Sequence, residues 1–251
     1  MTYCLAISVE DGLVFASDSR TNAGVDNVAT YGKMHTFGIE GDRQLVVLTS
    51  GNLATSQAVI AQMKQDIKNG EADSLFTVAS MGEAAEYLGR VLRGQQQKHA
   101  EAVMQAGFSP EATFILGGQV GDRSPKLYLV YPQGNFITTS LQTPFLQIGE
   151  SKYGKAILDR IIRQDTALDE AARCALVSID STMRSNASVG PPVEILCYEK
   201  DALKLDKYLN LDEDDEYLLD VKRSWNQKIT EAFNALPHFE WGSLPQRPRF
   251  E

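Results

Sequence analysis

Residues 2–24, TYCLAISVEDGLVFASDSRTNAG, decide how this chain is read. Two runs rich in strand formers, 2–9 and 13–19, flank Glu10-Asp11-Gly12, a turn signal, so the stretch predicts a β-hairpin. It also poses a chemical question. Thr2, directly behind the initiator methionine, is a small hydroxyl residue that methionine removal would leave as a free N-terminus. Asp18 closes the second predicted strand, and Lys33 follows.

Outward from this hairpin, QLVVLTSG (44–51) reads as a short strand running into a helix. Leu53, Ile60, Met63 and Ile67 share one helical face there, and Asn69-Gly70 ends it. A second helix is expected from about Gly82 through GQQQKHAEAV. Four strand-like runs follow (EATFILGG, PKLYLVYP, GNFITTS, FLQIG), separated by Gly, Pro and Asn turns. Two more helices are predicted, one from near Tyr153 and one behind Asp169 as its N-cap, before VEILCY (193–198) closes the run as a strand. Strands joined as hairpins with helices inserted in pairs imply an α+β fold with two antiparallel sheets and outer helices. A doubly wound parallel sheet would alternate the elements singly. The reading is one domain over 1–251 with a helical extension from about 203 to 251. There DEDDE (212–216) is read as a helix N-terminus rather than a metal cluster, since acidic residues complement the helix dipole. Leu218, Val221, Trp225, Ile229, Phe233 and Leu236 recur behind it at helical spacing, and the aromatic, Pro-rich end LPHFEWGSLPQRPRF is expected to pack on its own domain or a neighbour.

The chain has 251 residues, 43% hydrophobic and 23% charged, the balance of a globular protein with a sizeable core. A net charge of −9 with no basic cluster argues against nucleic acid or an anionic membrane as partner. Cys4, Cys174 and Cys197 form no paired pattern and read as buried thiols in a reducing compartment. No signal peptide or membrane-length apolar run is evident, so the expected location is the cytoplasm.

Most catalytic motifs are missing. Three scattered histidines (His35, His99, His238) do not suit a metal site, and neither a G-x-S-x-G elbow nor a local catalytic-cysteine signature occurs. Gly149-Glu150-Ser151-Lys152-Tyr153-Gly154-Lys155 has P-loop spacing but lacks the final Ser/Thr that would hold Mg²⁺. A loop-to-helix turn is the favoured reading, with ATP binding as the alternative.

Thr2 offers a route that needs no histidine. A threonine hydroxyl requires a base within hydrogen-bond reach. Once Met1 is removed, the α-amine of Thr2 supplies one, with an unperturbed pKa of roughly 7.7–8.0. Lys33 would lower the pKa of the amine by its charge, and Asp18 would hold Lys33. Gly51, where a strand meets a helix, is the candidate oxyanion donor.

Residues 2–24 with Lys33, and TSGNLATSQ (49–57), resemble the proteasome β-type subunits, most closely the bacterial proteasome-related group called Anbu. The resemblance covers most of the chain and is strongest before residue 70. It implies an Ntn-hydrolase αββα four-layer sandwich, threonine-peptidase chemistry without a cofactor, and assembly of identical subunits in a ring or spiral. Thr2 matches the nucleophile, Asp18 and Lys33 its charged partners, and Gly51 the oxyanion donor. The Thr-to-Lys interval is one residue shorter than in most proteasome subunits. A family Gly-Ser-Gly corresponds to Gly149-Glu150-Ser151, which points to Ser151 as a supporting hydroxyl. The family's Asp-x-x-Ser-Gly-Gly corresponds to Ser185-Asn186-Ala187-Ser188-Val189-Gly190, so Ser188 has a counterpart while the aspartate has none. Pocket preference is expected from the surroundings of Thr21, Asn22 and Leu53. An amidohydrolase acting on a small amide or isopeptide, and an assembling scaffold with a weak or inactive site, fit the same residues.

Overall fold

The structure, a computed structural model, describes residues 2–22, 28–105 and 107–238. One five-stranded antiparallel sheet has the order β10-β1-β2-β11-β12, made of Phe145–Gly149, Tyr3–Val9, Gly12–Asp18, Val193–Glu199 and Lys207–Leu211. The other has the order β5-β6-β7-β8-β9, made of Met34–Ile39, Arg43–Gly51, Ala112–Val120, Lys126–Val130 and Phe136–Thr138. A two-stranded ribbon, β3 (Arg20–Asn22) with β4 (Val28–Thr30), stands apart. Helices α1 (Leu53–Asn69) and α2 (Met81–Gln105) cover the second sheet. Helices α3 (Lys152–Ile161) and α4 (Leu168–Ser185) cover the first, and α5 (Glu216–Asn234) packs on α4.

Alternation along the strands explains the layers, because successive side chains point to opposite faces. In β1, Leu5, Ile7 and Val9 meet Leu158, Cys174 and Ile179 of the helices, while Cys4 and Ala6 face the other sheet. There Leu13, Phe15, Val46, Leu48, Ile115 and Leu196 form the seam between the sheets. In β6, Leu45 and Val47 turn outward to Val59, Met63 and Leu88 of α1 and α2. Both sheets are thus buried on both faces, which gives the expected αββα sandwich. Burying each Leu, Ile or Phe of the seam contributes about 1.5–3 kcal/mol.

The β1–β2 hairpin forms as predicted, with Cys4 opposite Ser17 and Val9 opposite Gly12. Helix α1 starts at Asn52, whose side chain accepts from Thr55 N–H, and ends at Gly70 in the left-handed region. Helix α4 differs from the expectation. Its N-cap is Ala167, and Asp169 lies inside the first turn, where its charge meets the helix dipole without capping. Asp215 caps α5 through Leu218 N–H at 3.0 Å, in keeping with the reading of the acidic run. The tail expected to be helical from about 203 first supplies β12, paired to β11 from Val193↔Leu211 to Cys197↔Lys207. Of the apolar α5 positions only Leu218 is buried; Ile229 and Phe233 are exposed, as is Leu236 just past the helix end. The aromatic, Pro-rich end lies outside the described residues from 239. Among the described residues no helix is long and apolar enough to cross a membrane, and no His/Cys/Asp/Glu group suits a metal ion.

Candidate active site

The residues singled out around Thr2 meet at one end of the sandwich. Thr2 precedes β1, Asp18 ends β2, Gly149 ends β10 and Gly190 leads into β11. From the second sheet, Lys33 precedes β5 and Gly51 ends β6. Antiparallel pairing puts the start of one strand beside the end of the next, so residues remote in sequence share one rim.

Thr2 is half-buried and held through its neighbours. Its carbonyl accepts from Glu150 N–H at 2.7 Å. Tyr3 N–H donates to Asp18 Oδ1 at 3.0 Å. The Tyr3 ring is fully buried, and its hydroxyl pairs with Ser178 Oγ at 2.7 Å and accepts from Gln147 Nε2 at 2.6 Å. Burial pushes that phenol up to about 12, so Tyr3 is an anchor and not a proton donor of the site.

Beneath this unit Asp18, with no exposed surface, pairs with Lys33 Nζ at 2.5 Å, and Lys33 also donates to Arg20 O at 2.7 Å. Asp18 Oδ2 accepts from Gly190 N–H at 3.1 Å. One carboxylate therefore joins β1, the Lys33 loop and the loop before β11. Burial raises its pKa above the usual carboxylate range, and the Lys33 ammonium and the two N–H groups work against that rise. Glu194 of β11 holds the same loop from the other side. It accepts from Lys33 N–H at 3.4 Å, Ser17 Oγ at 3.3 Å and the Tyr208 hydroxyl at 2.9 Å.

The two glycines at strand ends have separate reasons. Gly149 has φ +82°, and a Cβ there would stand 1.9 Å from Thr2 O; only a glycine lets β10 approach the N-terminus. Gly51 has φ +101°, and a Cβ would meet Glu111 O at 2.6 Å. Its N–H direction follows from the ladder. Thr49 N–H donates to Lys33 O, and Asn52 N–H donates to Glu111 O on the opposite side. Alternation then turns Gly51 N–H to the Lys33 side, away from β7. Gly51 is exposed, so this donor faces the open rim.

Ser151 begins the turn into α3 and is half-buried; it makes no side-chain cap bond. Ser188 is half-buried in the 186–190 loop, its N–H bonded to Asn186 Oδ1 at 2.9 Å. Thr21 (β3) and Leu53 (first residue of α1) are half-buried, and the side chain of Asn22 lies outside the described residues. Sequence reasoning missed Tyr3, Glu150, Asn186, Gly190 and Glu194. A signal existed only for Glu194, a carboxylate in the apolar run VEILCY.

The P-loop-like stretch has another explanation. Gly149 abuts Thr2, Gly154 abuts Tyr3 and Ser178, and Lys155 pairs with Asp159 at 2.7 Å. The cysteines are free thiols. Burial drives Cys4 and Cys197 above their ordinary range and Cys174 up to about 12, which makes them poor nucleophiles.

A family profile described as "Proteasome subunit" matches residues 2–197. The proteasome β subunit of Haloquadratum walsbyi is 23% identical over 217 residues, 84% of this chain and 79% of that protein. Among solved structures, Anbu from Yersinia bercovieri superposes with a TM-score of 0.90 at 41% identity, covering 95% of this chain and 100% of that one. A helical assembly of the Anbu complex from Pseudomonas aeruginosa gives 0.92 at 46%, covering 97% and 100%. The rim built around Thr2, the four-layer sandwich beneath it and these likenesses agree: the chain belongs to the proteasome β-type superfamily, in its Anbu group.

Proposed function

We propose that this chain is a threonine peptidase whose nucleophile is Thr2, exposed by removal of Met1. The observation that carries the reading is the buried Asp18–Lys33 pair directly below the Thr2–Tyr3 segment. A solvent-free ion pair is costly to build, and one placed beside a chain terminus serves electrostatics better than stability.

Thr2 Oγ attacks the scissile carbonyl carbon while its proton passes to the Thr2 α-amine. The positive charge of Lys33 disfavours protonation of that amine and so keeps it available as a base near pH 7. Asp18 holds Lys33 in place. The carbonyl oxygen becomes an oxyanion, which Gly51 N–H meets. On collapse the C–N bond breaks, and the amine proton goes to the leaving nitrogen. Water then adds to the ester, giving a proton to the same amine, and as the ester C–O bond breaks that proton passes to Thr2 Oγ, which frees the hydroxyl and the amine. Ser151 and Ser188 are assigned supporting hydroxyl roles, and Thr21, Asn22 and Leu53 the walls of the substrate pocket. Subunits assemble with copies of themselves, a reading supported by the helical assembly of the Pseudomonas aeruginosa relative.

The test is intact-mass analysis after exposure to a peptide epoxyketone, whose ring closure needs a hydroxyl and a free amine on one residue. The expected result is loss of Met1 and one adduct at Thr2, absent in Thr2→Ala. A protein that keeps Met1, or that loses it and forms no adduct, would overturn the reading.

A further inference from the structure

The family pattern places an aspartate where this chain has Ser185, on the exposed end of α4. A carboxylate nevertheless reaches the same loop. Glu150, just past the end of β10, is only 7% exposed although its neighbours Ser151 and Lys152 reach solvent. Its Oε2 accepts from Asn186 Nδ2 at 3.1 Å. Asn186 Oδ1 accepts from Ser188 N–H at 2.9 Å, so both ends of that amide are set by their partners: a flipped amide would face oxygen to carboxylate and NH₂ to N–H. The backbone of Glu150 meanwhile holds Thr2 O, and the far end of the loop is tied by Gly190 N–H to Asp18. Loop 186–190 is thus clamped between two carboxylates: Asp18, which also accepts from Tyr3 N–H, and Glu150, whose own backbone N–H bonds Thr2 O.

We propose that Glu150 is a positioning residue for the Thr2 nucleophile: through Asn186 it sets Ser188 against the N-terminal segment, supplying from β10 the carboxylate that position 185 lacks. This rests on Thr2 being the nucleophile. The charged groups that face the Thr2–Tyr3 segment or the loops beside it are then Lys33 and Asp18, Glu194 behind the Lys33 loop, Arg20 against Gly190 and Ala187, and Glu150 with its exposed partner Lys152 at 3.8 Å. Glu150 is a negative charge in that set, so it favours the ammonium form of Thr2, opposing Lys33.

Two variants separate charge from reach. Glu150→Gln keeps an oxygen for Asn186 and removes the charge. Glu150→Asp keeps the charge and withdraws it by one methylene. The pH midpoint of the Thr2 amine is read by competitive labelling with deuterated acetic anhydride and mass spectrometry, which needs no turnover. The rate of epoxyketone adduct formation is followed in parallel, and thermal unfolding establishes that each variant is folded. The expected result is a lower midpoint in Glu150→Gln, because a negative charge that favours the ammonium form is removed. Glu150→Asp should keep the midpoint and form adduct more slowly, by up to on the order of a hundredfold, since misplacement by about 1 Å alone carries that penalty. A folded Glu150→Gln with an unmoved midpoint, or Glu150→Asp with the native adduct rate, would overturn the proposal while leaving the Thr2 reading intact. A native protein that retains Met1 removes both.

Discussion

Lys33→Met tests the buried pair most directly, because methionine replaces the aliphatic stem and removes the ammonium with its bonds to Asp18 and Arg20 O. Asp18 has no exposed surface, and after the substitution it keeps two N–H donors, from Tyr3 and Gly190. Breaking a buried ion pair by removing one partner costs about 3–5 kcal/mol. The two remaining charge-assisted bonds hold the expected loss near the lower end, about 3 kcal/mol at pH 8. The sign of the pH dependence follows from the direction of the Asp18 shift. Burial already raises this carboxyl, and without Lys33 it rises further. A group whose folded pKa lies above its unfolded value contributes stability below the unfolded pKa and loses it as pH rises through the folded one. The deficit of Lys33→Met relative to the native chain should therefore shrink from pH 8 to pH 5, by at most about 1.4 kcal/mol per pH unit. Urea unfolding of Lys33→Met, Asp18→Asn and the double variant at pH 8, 6.5 and 5 measures this. The double variant should be more stable at pH 8 than Lys33→Met alone, since it has no unpaired buried charge. A Lys33→Met loss under about 1 kcal/mol, or one independent of pH, would refute the assignment of Asp18 and Lys33 as a desolvated pair.

Two further outcomes follow from single positions. Gly149→Ala puts a Cβ 1.9 Å from Thr2 O on a backbone with φ +82°, so it should cost at least about 1–3 kcal/mol and abolish the epoxyketone adduct; a native melting temperature with normal adduct formation would contradict the close approach. His35 on β5 is held by burial, with Lys64 assisting, down to about 4, so its neutral form is favoured on folding and its contribution to stability fades as pH falls below about 6.5. That amounts to about 2 kcal/mol between pH 7 and pH 5, and His35→Gln should flatten that part of the urea-midpoint profile.

The hairpin, the two covering helix pairs and the strand runs between them were legible because each has a clear period of two or 3.6, or a Gly or Asn stop. The ribbon β3–β4 and strand β12 were not. They are short, and β12 is exposed at four of its five positions, so no burial pattern marks it. Its place comes from pairing with β11, a tertiary fact. At the site, Thr2, Asp18, Lys33 and Gly51 could be named from residue type, position and resemblance, since a terminal hydroxyl with a nearby cation is a chemical pattern in itself. Glu150, Asn186 and Gly190 could not. Their roles rest on contacts across 36 to 172 residues, and nothing local separates Asn186 from an ordinary residue at the end of a helix. Asp169 shows the reverse failure: an acidic residue beside a helix start satisfies the capping rule, yet the chain enters the helix two residues earlier.

The placement of Asp18 explains why folding and site assembly cannot be separated in this chain. Its carboxylate fixes the first peptide N–H of β1, the ammonium of the Lys33 loop and the N–H of Gly190, three segments that belong to both sheets. A site held only by surface loops would lose geometry without losing stability. Here the Thr2–Tyr3 segment is secured by a fully buried tyrosine on the helix side and by a desolvated carboxylate below it. Any variant that loosens the pair must also loosen the sandwich, because the same side chains close its open end. Substitutions at Glu150 differ in kind. That carboxylate ties one loop to one strand end and leaves the Asp18–Lys33 pair untouched, so the reactivity proposed for Thr2 can change there while the body of the fold stays intact.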